Sequence, residues 1–130
     1  MDLTVSQEQG RIPVTVFRLK GPVIESDRLE QGAKEAHDAG ARNLVIDLSD
    51  VPYMASPGLR ALHYIYTLFR EPSSGESDEA VQKGIAAGTY KSPHLKLVNP
   101  NRDVFEILKA TGYDMFLDIH KDLKGALASF

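Results

Sequence analysis

Residues 43–62 read NLVIDLSDVPYMASPGLRAL, and this stretch decides the fold. Leu44-Val45-Ile46-Asp47-Leu48 is a short, nearly continuous apolar run bounded by polar turns, the pattern of a central strand covered on both faces. Ser49 to Ala55 is a loop containing Pro52, and Ser56-Pro57 then opens a helix. A residue before proline is pushed toward the extended region that an N-cap needs, and proline at the first helical position sacrifices no hydrogen bond. Beyond it Leu59, Leu62, Ile65, Tyr66, Leu68 and Phe69 form a wide apolar face, edged by Arg60, His63, Thr67 and Arg70. Strand, loop and helix become a βαβ unit once another strand follows, and His94-Leu95-Lys96-Leu97-Val98 supplies it.

Upstream, Leu3 and Val5 alternate with polar residues, and Ile12 to Leu19 is β-branched and apolar enough for a second strand after a tight turn at Gln9-Gly10. Gly21-Pro22 breaks it. Ser26 or Asp27 can cap a helix with a narrow stripe of Leu29, Ala33 and Ala36, closing near Gly40. Downstream, Asn99 or Asn101 caps a helix with Val104, Phe105, Ile107 and Leu108 inward and Gly112 as its left-handed stop. A last strand, Met115 to Ile119, and a short helix, Asp122 to Ala128, follow. The alternation β-β-α-β-α-β-α-β-α predicts a single α/β domain over 1–130, a mixed β-sheet with α-helices packed on it.

Between the second helix and the next strand lies a long insertion, 71–93. Its Pro72 to Glu79 part is polar, acidic and without period, so it should be flexible, and Ala80 to Gly88 could add a helical turn or two despite two glycines.

Composition removes whole classes of function. The chain has 130 residues, 42% hydrophobic and 25% charged, as in ordinary globular proteins. With 15 Lys+Arg against 18 Asp+Glu the net charge is -3 and the basic residues are scattered, so neither nucleic acid nor an anionic membrane is an expected partner. Cysteine is absent, which excludes disulfides, thiolate metal sites and thiol nucleophiles, and fits a cytoplasmic setting. The first residues lack the basic start and apolar stretch of a secretory signal, and no apolar run approaches the ~18 residues of a membrane span, so no membrane insertion is expected.

The polar side chains offer little chemistry. His37, His63, His94 and His120 fall in four different elements without the i, i+4 spacing of helical metal sites, so no metal and no other cofactor is expected. Ser56, His63 and Asp47 could meet only by chance of the fold, and Asp47, Asp50, Asp114 and Asp118 offer a carboxylate pair only if strand ends bring them together. Tyr64 and Tyr66 would stack bases only if Tyr66 left the apolar face. No phosphate loop, nucleophile elbow or HExxH occurs, and the chain reads as a non-enzyme. Ser56 alone has a mechanism attached to its position. It is a helix cap, or a phosphoacceptor whose phosphate the helix dipole would stabilise.

Residues 43–62 resemble the signature of STAS domains, named for sulphate transporters and anti-sigma factor antagonists. In that family an apolar strand ends in Asp-Leu, a short loop follows, and the helix opens with Asp-Ser-Ser-Gly-Leu; Asp47-Leu48 and Gly58-Leu59 match at the same spacing. The resemblance extends to Gly21-Pro22-Val23-Ile24, Asn99-Pro100, Val104-Phe105 and Thr111-Gly112. It implies that Ser56 stands where bacterial antagonists are phosphorylated by a partner-switching kinase. Ala55 replaces the family's aspartate and Pro57 its second serine.

The function implied is a regulatory module that binds an anti-sigma factor, a serine kinase, through Tyr53, Met54, Ala55, Ser56, Arg60 and His63. The alternative is a STAS scaffold that assembles with other proteins, or as a homodimer, without phosphorylation. Tyr53 and Met54 are either exposed apolar anchors or core residues covering the sheet edge.

Overall fold

The computed structural model describes residues 1–69 and 92–130. Five strands, β1 (Asp2–Gln9), β2 (Pro13–Lys20), β3 (Leu44–Asp50), β4 (Leu95–Val98) and β5 (Asp118–His120), form one sheet in the order β1-β2-β3-β4-β5. β1 and β2 are an antiparallel hairpin, and every later neighbour is parallel. Among the described residues four α-helices accompany them: α1 (Asp27–Asp38), α2 (Ser56–Phe69), α3 (Arg102–Ala110) and α4 (Leu123–Ala128).

The strand order dictates the layering. Each parallel strand is added on the same side of the last, and right-handed crossovers then carry α1, α2 and α3 to one face of the sheet. The strands show the consequence in their register. Phe17, Ile46, Leu97 and Ile119 align across four strands on that face, and the main core joins them to Leu29 and Ala33 of α1, Leu62 and Ile65 of α2, and Val104 and Leu108 of α3. Burying each such Leu or Ile contributes about 1.5–3 kcal/mol. The opposite face carries Val14, Val16, Val45 and Val98, covered by Ala126 with Leu123, Leu127 and Phe130. β3 is thus buried on both sides along Leu44–Ile46, as its nearly continuous apolar run predicted.

Lys96 interrupts that second face from the middle of β4. It is 4% exposed, its Nζ meets Asp118 Oδ2 at 3.0 Å, and the Phe130 ring lies 5.0 Å away. Both contacts offset the cost of burying the ammonium.

Several expectations shift. The final strand is Asp118–His120 rather than Met115 to Ile119, because Tyr113–Met115 continues from the left-handed Gly112 as a 3-10 turn. Ser26 stands at the start of α1 without a side-chain cap, whereas Asn101 caps α3 with its Oδ1 accepting from the Val104 amide at 2.8 Å. Phe105, expected inward, is 39% exposed. The expected insertion lies outside the described residues except at its end. There Ser92 is buried, its amide donating to the Phe116 carbonyl at 2.8 Å, so this end is fixed to the core.

Candidate functional site

The β3–α2 loop is held from two sides. The Gly21 amide donates to the Asp50 carbonyl, the Val23 amide to Tyr53, and the Ala55 amide back to Val23, a one-residue parallel bridge between Val23 and Met54. From the other side Asn101 Nδ2 donates to the carbonyls of Val51 and Pro52, each at 3.2 Å. One asparagine therefore caps α3 and staples the loop that presents α2. Val51 and Met54 are 1% exposed and act as pegs. Met54, an expected partner contact, is a core residue instead, for its neighbour Val23 covers it from the bridge.

Gly58 lets the helix start this close. A Cβ there would lie 2.7 Å from Val23 Cγ1, 2.9 Å from Met54 Cγ and 3.1 Å from the Val23 carbonyl oxygen. No larger residue fits without displacement. Ser56 is not the cap it was expected to be. Ala55 contributes the carbonyl that accepts from Gly58 and Leu59, so Ser56 is the first residue of the helix and Pro57 the second. One turn on, the Leu59 carbonyl accepts from the Tyr113 hydroxyl at 2.8 Å, and burial pushes the Tyr113 phenol up from its ordinary value.

What faces solvent is a stripe. Ser56, Arg60, His63 and Thr67 are exposed and recur every three or four residues, so they share the outer side of α2. Tyr53, 51% exposed, and Ile24, 60% exposed, stand beside its start on the two chain segments that the Val23–Met54 bridge joins. Ala55 is partly exposed between them. No acidic residue occupies the first turn of α2. Ile24 escaped the sequence reading, although Val23 and Ile24 after the Gly21-Pro22 break form an in-out pair.

The other candidate constellations come apart. Ser56 and His63 are two turns apart, roughly 10 Å along the axis, and Asp47 lies on the opposite face of the sheet with Val45. Asp47 accepts from the Ser49 amide and hydroxyl and lies 3.8 Å from Arg18, while Asp118 is taken by Lys96. Tyr66 is buried edge-on against Phe116, and no stacking platform forms with Tyr64. Among the described residues no group of three His, Asp or Glu could hold a metal ion, and no helix is long and apolar enough to cross a membrane.

A model of the STAS domain matches residues 4–73, more than half of the chain. The chain belongs to the STAS domain family. Solved structures share the fold across nearly its whole length. An anti-sigma factor antagonist from Mycobacterium paratuberculosis is 22% identical with a TM-score of 0.68, covering 98% of this chain and 93% of that one. A Thermotoga maritima protein assigned as an anti-sigma factor antagonist is 17% identical with a TM-score of 0.66, covering 96% and 91%. The anti-sigma factor antagonist SpoIIAA in its unphosphorylated form is 11% identical with a TM-score of 0.61, covering 96% and 93%. No protein of curated function matches. Gly58 is the contact point of α2 with Val23, and Ser56 two residues before it is exposed.

Proposed function

We propose that this STAS domain is an anti-sigma factor antagonist, a non-enzymatic cytoplasmic module that binds a serine-kinase-type anti-sigma factor through the start of α2. Tyr53, Ala55, Ser56, Arg60 and His63 form the docking face, with Ile24 in the place once expected of Met54. The observation that carries this is the placing of Ser56. It is exposed on the first turn of a helix whose entry loop is fixed on both sides, and an exposed aromatic anchor stands beside it. Switching follows from the same geometry. A phosphate on Ser56 gains the positive end of the α2 dipole and the reach of Arg60 one turn on, and it places about two negative charges in the middle of the docking face. The solved antagonists of like fold support the reading.

One observation favours a second reading, a scaffold that assembles without phosphorylation. Ala55 and Pro57 flank Ser56, so the loop has neither the aspartate nor the second serine of the family signature. Incubation with the anti-sigma kinases of the same genome and ATP, followed by mass spectrometry, separates the two. Partner switching predicts one phosphate on Ser56 and loss of binding by Ser56→Asp. No phosphate, with full binding by Ser56→Asp, gives the scaffold.

A further inference from the structure

The first turn of α2 has few free amides. Pro57 has none, and the amides of Gly58 and Leu59 both donate to the Ala55 carbonyl, at 2.9 and 3.2 Å. In that turn only the Ser56 amide stays without a backbone acceptor among the described residues. A helix start holds an anion through such amides. A phosphate on Ser56 therefore finds one backbone donor here, and side chains have to supply the rest.

One side chain of α2 is placed for it. Arg60 lies one turn beyond Ser56 on the exposed stripe, in the i, i+4 order of anion before cation that favours pairing. Its helical neighbours three and four residues away are Ser56, Pro57, His63 and Tyr64, and α2 contains no acidic residue. Among the described residues Arg60 has no ion pair and no side-chain hydrogen bond. The other charges near the loop are placed differently. Arg102, beside the Asn101 staple on α3, is taken by Glu106 at 3.3 Å, and Lys20 stands across from Asp50 in the β2–β3 register. Glu25 follows Ile24 and Asp103 follows Arg102, and neither they nor Asp50 form an ion pair with Arg60. His63 is two turns from Ser56, about 10 Å along the axis.

We propose that Arg60 serves two partners in turn. It faces the docking protein while Ser56 is free, and it turns back onto the phosphate once Ser56 is phosphorylated, two of its N–H groups donating to phosphate oxygens. This rests on Ser56 being the phosphoacceptor of the docking face. In that step the Ser56 oxygen bonds the γ-phosphorus of ATP, ADP leaves, and the hydroxyl proton is released. Phosphorylation then acts twice: it adds negative charge at the start of α2, and it withdraws a cation from the face that the partner reads.

The test needs neither kinase nor partner. The full chain is made with phosphoserine at position 56, and its phosphorus resonance is followed by NMR through the second ionisation of the phosphate, near pH 6 in an unstructured chain. With Arg60 in place the midpoint is expected about half a pH unit below that of the Arg60→Gln variant. The Arg60 Nε proton of the unaltered chain is expected to shift along the same curve, a readout that needs no variant. Urea midpoints show that each variant is folded. His63→Gln, Lys20→Gln and Arg102→Gln should leave the midpoint in place. Equal midpoints with and without Arg60 overturn the proposal, and so does a rise with Lys20→Gln or Arg102→Gln that matches the rise with Arg60→Gln, since another cation then holds the phosphate. Failure here leaves phosphorylation and docking standing, because kinase incubation and binding by Ser56→Asp decide those separately.

Discussion

Gly58 on α2 and Val23 on the β2–α1 connection approach so closely that a Cβ on Gly58 would stand 2.7 Å from a Val23 methyl. The same Val23 gives and receives the backbone bonds that hold Tyr53 and Ala55. The exposed start of α2 is thus positioned by a contact buried beneath it.

Gly58→Ala should therefore destabilise the fold, although alanine is the better helix former. Overpacking against a branched side chain and a backbone oxygen costs about 1–3 kcal/mol, while helix propensity returns roughly 1 kcal/mol. Urea unfolding checks this. Adding Val23→Ala removes one of the clashing methyls, so the double variant should lose less than the sum of the two single losses.

Asn101 has two duties that substitutions can separate. Asn101→Asp keeps the oxygen that accepts from Val104 and loses the donor to Val51 and Pro52, whereas Asn101→Ala loses both. The expected costs are about 1 kcal/mol for aspartate and about 2 kcal/mol for alanine. Chemical denaturation ranks the variants, and faster amide exchange at 51–55 in both would report the loosened loop.

Tyr113 sets an alkaline limit. Burial raises its phenol above the ordinary 10.0, so the folded chain holds this proton more tightly than the unfolded chain. Its contribution is complete below pH 10.0 and is lost as pH rises through the folded value. Tyr113→Phe should cost about 1 kcal/mol at neutral pH through the lost bond to Leu59, and its stability should fall less steeply above pH 10.

Much of the fold was legible in residues 43–62 because a doubly buried strand and an amphipathic helix leave different periods in sequence. The site was legible only in part. Ser56, Arg60 and His63 declare their exposure through helical spacing, but Tyr53 and Met54 adjoin in a loop without a period. Only the bridge to Val23 makes one an exposed anchor and the other a core peg. Asn101 read as a local cap because its bonds to Val51 and Pro52 join residues 50 and 49 positions apart, and no local pattern encodes them. Ser56 lost the capping role because the Ala55 carbonyl, one residue earlier, already closes the first turn.

The docking face on α2 is tested most directly by titration calorimetry of the unphosphorylated chain with the anti-sigma factor found to phosphorylate or retain it. Tyr53→Ala and Arg60→Glu should each weaken binding tenfold or more, about 1.4 kcal/mol, while Lys124→Ala on α4, across the sheet, leaves it unchanged. If Tyr53→Ala and Arg60→Glu both bind with the affinity of the unaltered chain, the partner docks elsewhere and the account of this face is wrong.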